Sequence, residues 1–151
     1  MPGEFSRCRA AARATESATC HAVPVEPPPV LLVDAANVLG SRPDGWWKDR
    51  AAATRQLLER IRRWAEDDRH WRVIVVVEGR ARGAADADWG PSLQVIGASG
   101  SGDDAIVDLA DDMARADEDA QITVVTSDRG LHGRLSTPTV GARWLQDRLP
   151  D

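Results

Sequence analysis

Unbroken apolar runs constrain this chain more than any other feature. Val30-Leu31-Leu32-Val33 stops abruptly at Asp34, Val73-Ile74-Val75-Val76-Val77 at Glu78, and Val124-Val125 leads through Thr126-Ser127 to Asp128. A strand with one wet face alternates apolar and polar residues; a strand that is apolar at every position is buried on both faces. Such strands belong to a parallel sheet covered by helices on both sides. In open sheets of that kind, ligands bind beyond the carboxyl ends of the strands. Acids placed at those ends therefore meet at one cleft.

The rest of the chain fits a strand–helix alternation. Strands are expected at Val30–Asp34, Trp71–Val77, Leu93–Ile96 and Gln121–Thr126, with Thr139–Gly141 a fifth. Between the first two, Ala53, Leu57, Leu58, Ile61, Trp64 and Ala65 recur at helical spacing, and Asp49 is placed to cap that helix. Helices are also expected from Asp103 to about Ala116, over Arg129–Leu135 and over Ala142–Leu149, whereas Arg80–Gly90 reads as a polar loop, as does the stretch carrying Gly40, Pro43, Asp44 and Gly45. The pattern predicts an α/β fold: a three-layer α/β/α sandwich around a central, mainly parallel sheet of four or five strands.

At 151 residues, one folded domain is expected over residues 30–151. Residues 1–29 read as a disordered Pro/Ala/Arg-containing tail, because the run Pro27-Pro28-Pro29 enters neither a helix nor a central strand. The two cysteines, Cys8 and Cys20, both lie in that tail. Neither has the partners at metal-binding spacing that zinc requires, even though His21 follows Cys20. Free thiols point to a reducing, cytoplasmic setting. No apolar stretch approaches the ~20 residues of a membrane span, so no membrane partner is expected. A net charge of −5 argues against broad electrostatic adhesion to nucleic acid, but the positive charge is almost all arginine, which suits local phosphate contacts.

Candidate chemistry lies where acids end apolar runs. Asp34, followed at three residues by Asn37, loses hydration at the end of a buried strand unless a cation or hydrogen-bond donors compensate. Asp103 and Asp104 follow the glycine loop Gly100-Ser101-Gly102, with one expected to cap the next helix and the other to serve the cleft. Asp128 follows Thr126 and Ser127, small hydroxyl residues suited to orienting a carboxylate or a phosphate. Glu78 is a further acid at a strand end, open to pairing with Arg80 or Arg82 instead. Carboxylates crowded together repel unless a cation lies among them, and oxygen-only ligands suit Mg²⁺ or Mn²⁺. Arg80, Arg82, Arg129 and Arg134 are candidates for a phosphate-binding rim.

Other chemistries fit less well. The glycines of the 97–102 loop do not form GxGxxG, and two acids after it would repel a pyrophosphate; no Walker A motif is present. A haloacid-dehalogenase-type phosphatase would need an acid where Ala36 stands, and a receiver domain would need a lysine late in the sheet, whereas Lys48, the single lysine, is early.

Asp34-Ala35-Ala36-Asn37, Gly102-Asp103-Asp104-Ala105-Ile106 and Thr126-Ser127-Asp128-Arg129 resemble the three signatures of the NYN/YacP-like branch of the PIN-domain nuclease superfamily. The resemblance spans about Val30 to Leu149. It implies a PIN-like fold and a divalent-metal-dependent ribonuclease acting on single-stranded or structured RNA. Asp34, Asp103 and Asp128 would form the acidic centre, with Asn37 and Asp104 in support and Glu78 matching an acid after the second strand. Thr126, Ser127, Arg80, Arg82 and Arg129 would meet the substrate. A homodimer is left open. Two other readings also stay open: a PIN-like module that binds nucleic acid or protein without cutting, and a nucleotide phosphohydrolase. No Nudix-type glutamate cluster supports the latter.

Overall fold

A computed structural model of the chain describes residues 26–151. The expectations placed on Cys8, Cys20, His21 and the tail up to residue 25 lie outside the described residues. Residues 26–29 have no regular secondary structure; the Pro29 carbonyl accepts the Arg72 N–H at 2.9 Å and so aligns the entry to the first strand.

The five strands are β1 (Val30–Asp34), β2 (Arg72–Val77), β3 (Leu93–Gly97), β4 (Ile122–Val125) and β5 (Thr139–Val140). They form one sheet in the order β3-β2-β1-β4-β5, and every pairing is parallel. The helices are α1 (Ala35–Gly40), α2 (Arg50–Asp67), α3 (Gly102–Ala116), α4 (Arg129–Arg134) and α5 (Ala142–Gln146). Short 3-10 segments occupy Trp46–Lys48 and Gly79–Asp86.

Burial on both faces of the sheet explains the unbroken apolar runs. Leu31, Val33, Val73, Val75 and Val77 pack in one core with α1, α2 and α5, and Val30, Leu32, Ile74, Val76 and Val124 pack in a second core with α3 and α4. Successive strand residues thus serve opposite layers, so no position in β1 tolerates a polar side chain before Asp34. Each such Leu, Ile or Val contributes roughly 1.5–3 kcal/mol. Helix α2 buries Thr54, Leu57, Leu58, Ile61, Trp64 and Ala65 at three- and four-residue spacing, and Asp49 caps it by accepting the Ala52 N–H at 3.0 Å. Trp144 of α5 meets Trp64 and Trp71 edge to face, with centroids 6.5 and 6.2 Å away, which closes that layer.

The structure amends four expectations. Residues 35–40 form α1 rather than a loop, because Asp34 caps them through the Asn37 N–H. The segment after β2 is a 3-10 helix over Gly79–Asp86 that buries Ala81 and Ala84, and the Trp89 indole N–H donates to the Ala84 carbonyl at 2.7 Å. The last helix ends at Gln146, short of Leu149. The cap of α3 is Ser101, whose hydroxyl accepts the Asp104 N–H at 3.4 Å; neither Asp103 nor Asp104 serves as that cap.

Strand order reverses beside β1: the chain runs outward through β2 and β3, then returns across the sheet to β4 and β5. In open sheets of this kind, ligands bind beyond the strand ends at such a switch point. Asp34 ends β1 and Thr126-Ser127-Asp128 follows β4, so both lie at this end of the sheet. Among the described residues, no helix is long and apolar enough to cross a membrane.

Candidate acidic site at the switch point

Asp34 is the centre of the site. It is 6 % exposed, and both its oxygens are held: Oδ1 accepts the Asn37 N–H at 3.3 Å and Oδ2 accepts the Thr126 hydroxyl at 3.4 Å. Burial raises its pKa from 3.8 to about 6. Repulsion from Asp103 and Glu78 adds to the rise, and the Asn37 N–H and Thr126 hydroxyl oppose it.

The segment after β4 is pinned against β1 by a relay of polar contacts. Thr126, 4 % exposed, donates to Asp34 and accepts the Asp128 N–H at 3.1 Å. The Asn37 side-chain carbonyl accepts the Ser127 N–H at 2.7 Å, and the Ser127 hydroxyl accepts the Ala142 N–H at 2.9 Å. Thr126, Ser127 and Asn37 therefore lie at the site, where they fix the backbone that carries Asp128. Asp128 caps α4, with Oδ1 accepting the Leu131 N–H at 3.1 Å. Its Oδ2 takes no protein hydrogen bond among the described residues.

Asp103, in the first turn of α3, is half-buried. Burial raises its pKa, and repulsion from Asp128, Glu78 and Asp104 adds to the rise against the attraction of Arg134. Glu78 accepts the Gly102 N–H through Oε2, and its Oε1 lies 4.0 Å from Arg50 Nη2. A Cβ at position 102 would stand 2.9 Å from Glu78 Oε2, so the absence of a side chain at Gly102 permits this contact. Glu78 thus ties the end of β2 to the start of α3 and holds Asp103 in place.

Asp103 and Glu78 thus act on Asp34, and Asp128 and Glu78 act on Asp103. Asp104 stands apart: it is exposed, and its Oδ1 accepts from Arg134 Nη2 at 2.7 Å. Arg134 is thereby engaged with Asp104. Arg80, Arg82 and Arg129 are exposed and form no ion pair among the described residues. Arg80 and Arg82 lie in the 3-10 segment after β2 and Arg129 opens α4 after β4, at the carboxyl end of the sheet. Among the described residues, no three Asp, Glu, His or Cys side chains form a preassembled metal-binding group.

Sequence reasoning missed Arg50 and Ser101. Arg50 meets Glu78 across two elements, a contact that no local spacing encodes. Ser101 competes for the cap with two adjacent aspartates that are equally able to cap.

The fold is that of solved YacP structures. The chain matches Rae1 (YacP) from Bacillus subtilis with a TM-score of 0.61 at 24% identity, covering 78% of this chain and 71% of that one. It matches the W164L mutant of that protein with a TM-score of 0.59 at 25% identity, covering 78% and 72%. The branch that the three motifs resemble thus supplies the structural neighbours. No protein-family model and no curated protein sequence matches the chain.

Proposed function

We propose that this chain is a divalent-metal-dependent ribonuclease that hydrolyses phosphodiester bonds of single-stranded or structured RNA at the acidic end of the sheet. The observation that carries the reading is Asp34: a buried carboxylate at the switch point, facing charge repulsion from Asp103 and Glu78. Folding concentrates negative charge there without an internal countercharge for Asp34. The fold shared with Rae1 (YacP), together with motifs resembling the ribonucleases of that branch, supports the nuclease class.

The donor set suits a hard cation, since every candidate ligand is a carboxylate oxygen. Asp34 would anchor Mg²⁺ or Mn²⁺, with Asp103 and Asp128 completing the set from α3 and the β4–α4 junction, and Glu78 beside them. Because no trio is preassembled, the Asp103 and Asp128 side chains would converge as the ion binds. The ion, when bound, supplies a water of lowered pKa and neutralises charge on the scissile phosphate. The remaining work belongs to the chain. Thr126, Ser127 and Asn37 hold the carboxylates in register. Arg80, Arg82 and Arg129 receive flanking phosphates.

One observation favours a second reading: the lack of a preassembled ligand trio suits an RNA-binding module that does not cut. Incubating 5′-labelled single-stranded RNA with the protein across Mg²⁺ and Mn²⁺ concentrations, with a chelator control, separates the two. A ribonuclease cleaves only with metal and loses roughly a hundredfold or more in Asp34→Asn. Binding without cleavage at every metal concentration would leave the module reading, and undiminished cleavage by Asp34→Asn would remove Asp34 from the chemistry.

A further inference from the structure

The segment between α1 and α2 carries an aromatic pair that the acidic site does not use. Trp47 is 59 % exposed and is the exposed large hydrophobic among the described residues. The other tryptophans are buried or half-buried. Trp47 meets Trp46 edge to face, with centroids 6.0 Å apart, in a 3-10 turn entered through Gly45 at φ +86°. Lys48, the sole lysine of the chain, follows directly.

A chain of contacts joins this pair to the acids. The Arg50 guanidinium lies 5.7 Å from the Trp46 ring centroid, and its Nη2 lies 4.0 Å from Glu78 Oε1. Glu78 in turn holds the Gly102 N–H, next to Asp103. Topology agrees: in a parallel sheet, the helix after a strand starts at that strand's carboxyl end, so Arg50 and the Trp46–Lys48 turn lie at the same end of the sheet as the acids. Leaving an indole in water costs burial energy that a core position would recover. Beside the proposed phosphodiester-cleaving site, a flat exposed indole, followed in sequence by Lys48 and backed by the Trp46–Arg50 contact, matches a nucleobase, which stacks regardless of sequence.

We propose that Trp47 is a base-stacking platform for single-stranded RNA, seating a nucleobase next to the scissile phosphate while Trp46 and Arg50 brace it against Glu78. The proposal rests on the ribonuclease reading. Trp47 acts in substrate binding and takes no part in bond breaking.

The test uses the full chain and a fluorescein-labelled decanucleotide RNA, with anisotropy read in Ca²⁺ to slow cleavage. Trp47→Ala should weaken binding roughly 5- to 100-fold, and Trp47→Phe should recover most of the loss. The log–log salt slope should not change, because stacking releases no counterions. A series of oligonucleotides with one abasic position should include one that weakens the parent protein yet leaves Trp47→Ala unaffected. That coupling identifies stacking. Equal affinity of Trp47→Ala and parent, with cleavage by the parent intact, overturns the platform and leaves the ribonuclease standing; Trp47 would then suit a protein contact. A parent that neither binds nor cleaves RNA overturns both.

Discussion

Replacing Asp34 by Asn should stabilise the protein at neutral pH and remove one specific component of its pH dependence. The folded-state pKa of Asp34 is about 6 against 3.8 for an ordinary aspartate. A gap of about two units corresponds to ~3 kcal/mol at 1.36 kcal/mol per unit. The sign follows from proton linkage. Between the two values the folded state holds more protons than the unfolded state, so stability falls as pH rises. The contribution of Asp34 is fully present below pH 3.8 and lost once pH passes 6. An asparagine can still accept the Asn37 N–H, but its amide meets the Thr126 hydroxyl less well than a carboxylate does. Setting ~1 kcal/mol against that change leaves a net gain of ~1–2 kcal/mol above pH 6.5 in metal-free buffer. Urea denaturation of parent and Asp34→Asn in a chelator, at several values from pH 4 to 8, measures this. The variant's advantage should grow by ~2–3 kcal/mol from the acid to the neutral end. A difference that does not vary with pH would refute the desolvated carboxylate, and a less stable variant at pH 7.5 would make Asp34 a purely structural cap.

Three further outcomes follow from the same geometry. Saturating Mg²⁺ or Mn²⁺ should raise the parent's stability by ~1–3 kcal/mol, read as Tm, and the gain should vanish in Asp103→Asn/Asp128→Asn; an equal gain there places the ion elsewhere. Gly102→Ala should cost ~1–3 kcal/mol, because its Cβ would lie 2.9 Å from Glu78 Oε2. Adding Glu78→Ala should relieve part of that cost, and strict additivity of the two changes in a denaturation cycle would show that they do not meet. A triple Arg80/Arg82/Arg129→Ala variant should weaken single-stranded RNA binding and flatten its log–log salt slope by about two units, at roughly 0.7 per phosphate contact. An unchanged slope would take these arginines off the rim.

The strands were legible because burial on both faces demands apolar residues at every position, a pattern that survives without knowledge of partners. The same logic drew attention to Asp34 and Glu78, which directly follow such runs, and to Asp128 beyond Thr126-Ser127, although Asp34 and Asp128 also cap helices. Helix α1 was hidden, for its six residues are too few to show a period, and Asp34 served as its cap as well as an acid of the site. The Gly79–Asp86 segment was hidden by composition: its buried side chains are Ala81 and Ala84, which carry little hydrophobic signal. Contacts between elements were illegible in principle. Nothing local links Arg50 to Glu78, Thr126 to Asp34 or Arg134 to Asp104. The last of these pairs Asp104, expected to support the acidic centre, with a surface arginine.

The central claim is that the acids at the switch point hold a divalent cation, and a crystal soaked in Mn²⁺ at pH 7.5 tests it most directly. An anomalous peak coordinated by Asp34, Asp103 and Asp128, with the last two side chains drawn inward, is the predicted result. A peak on other residues, or no peak with Asp34 still bound only to Asn37 and Thr126, would contradict it.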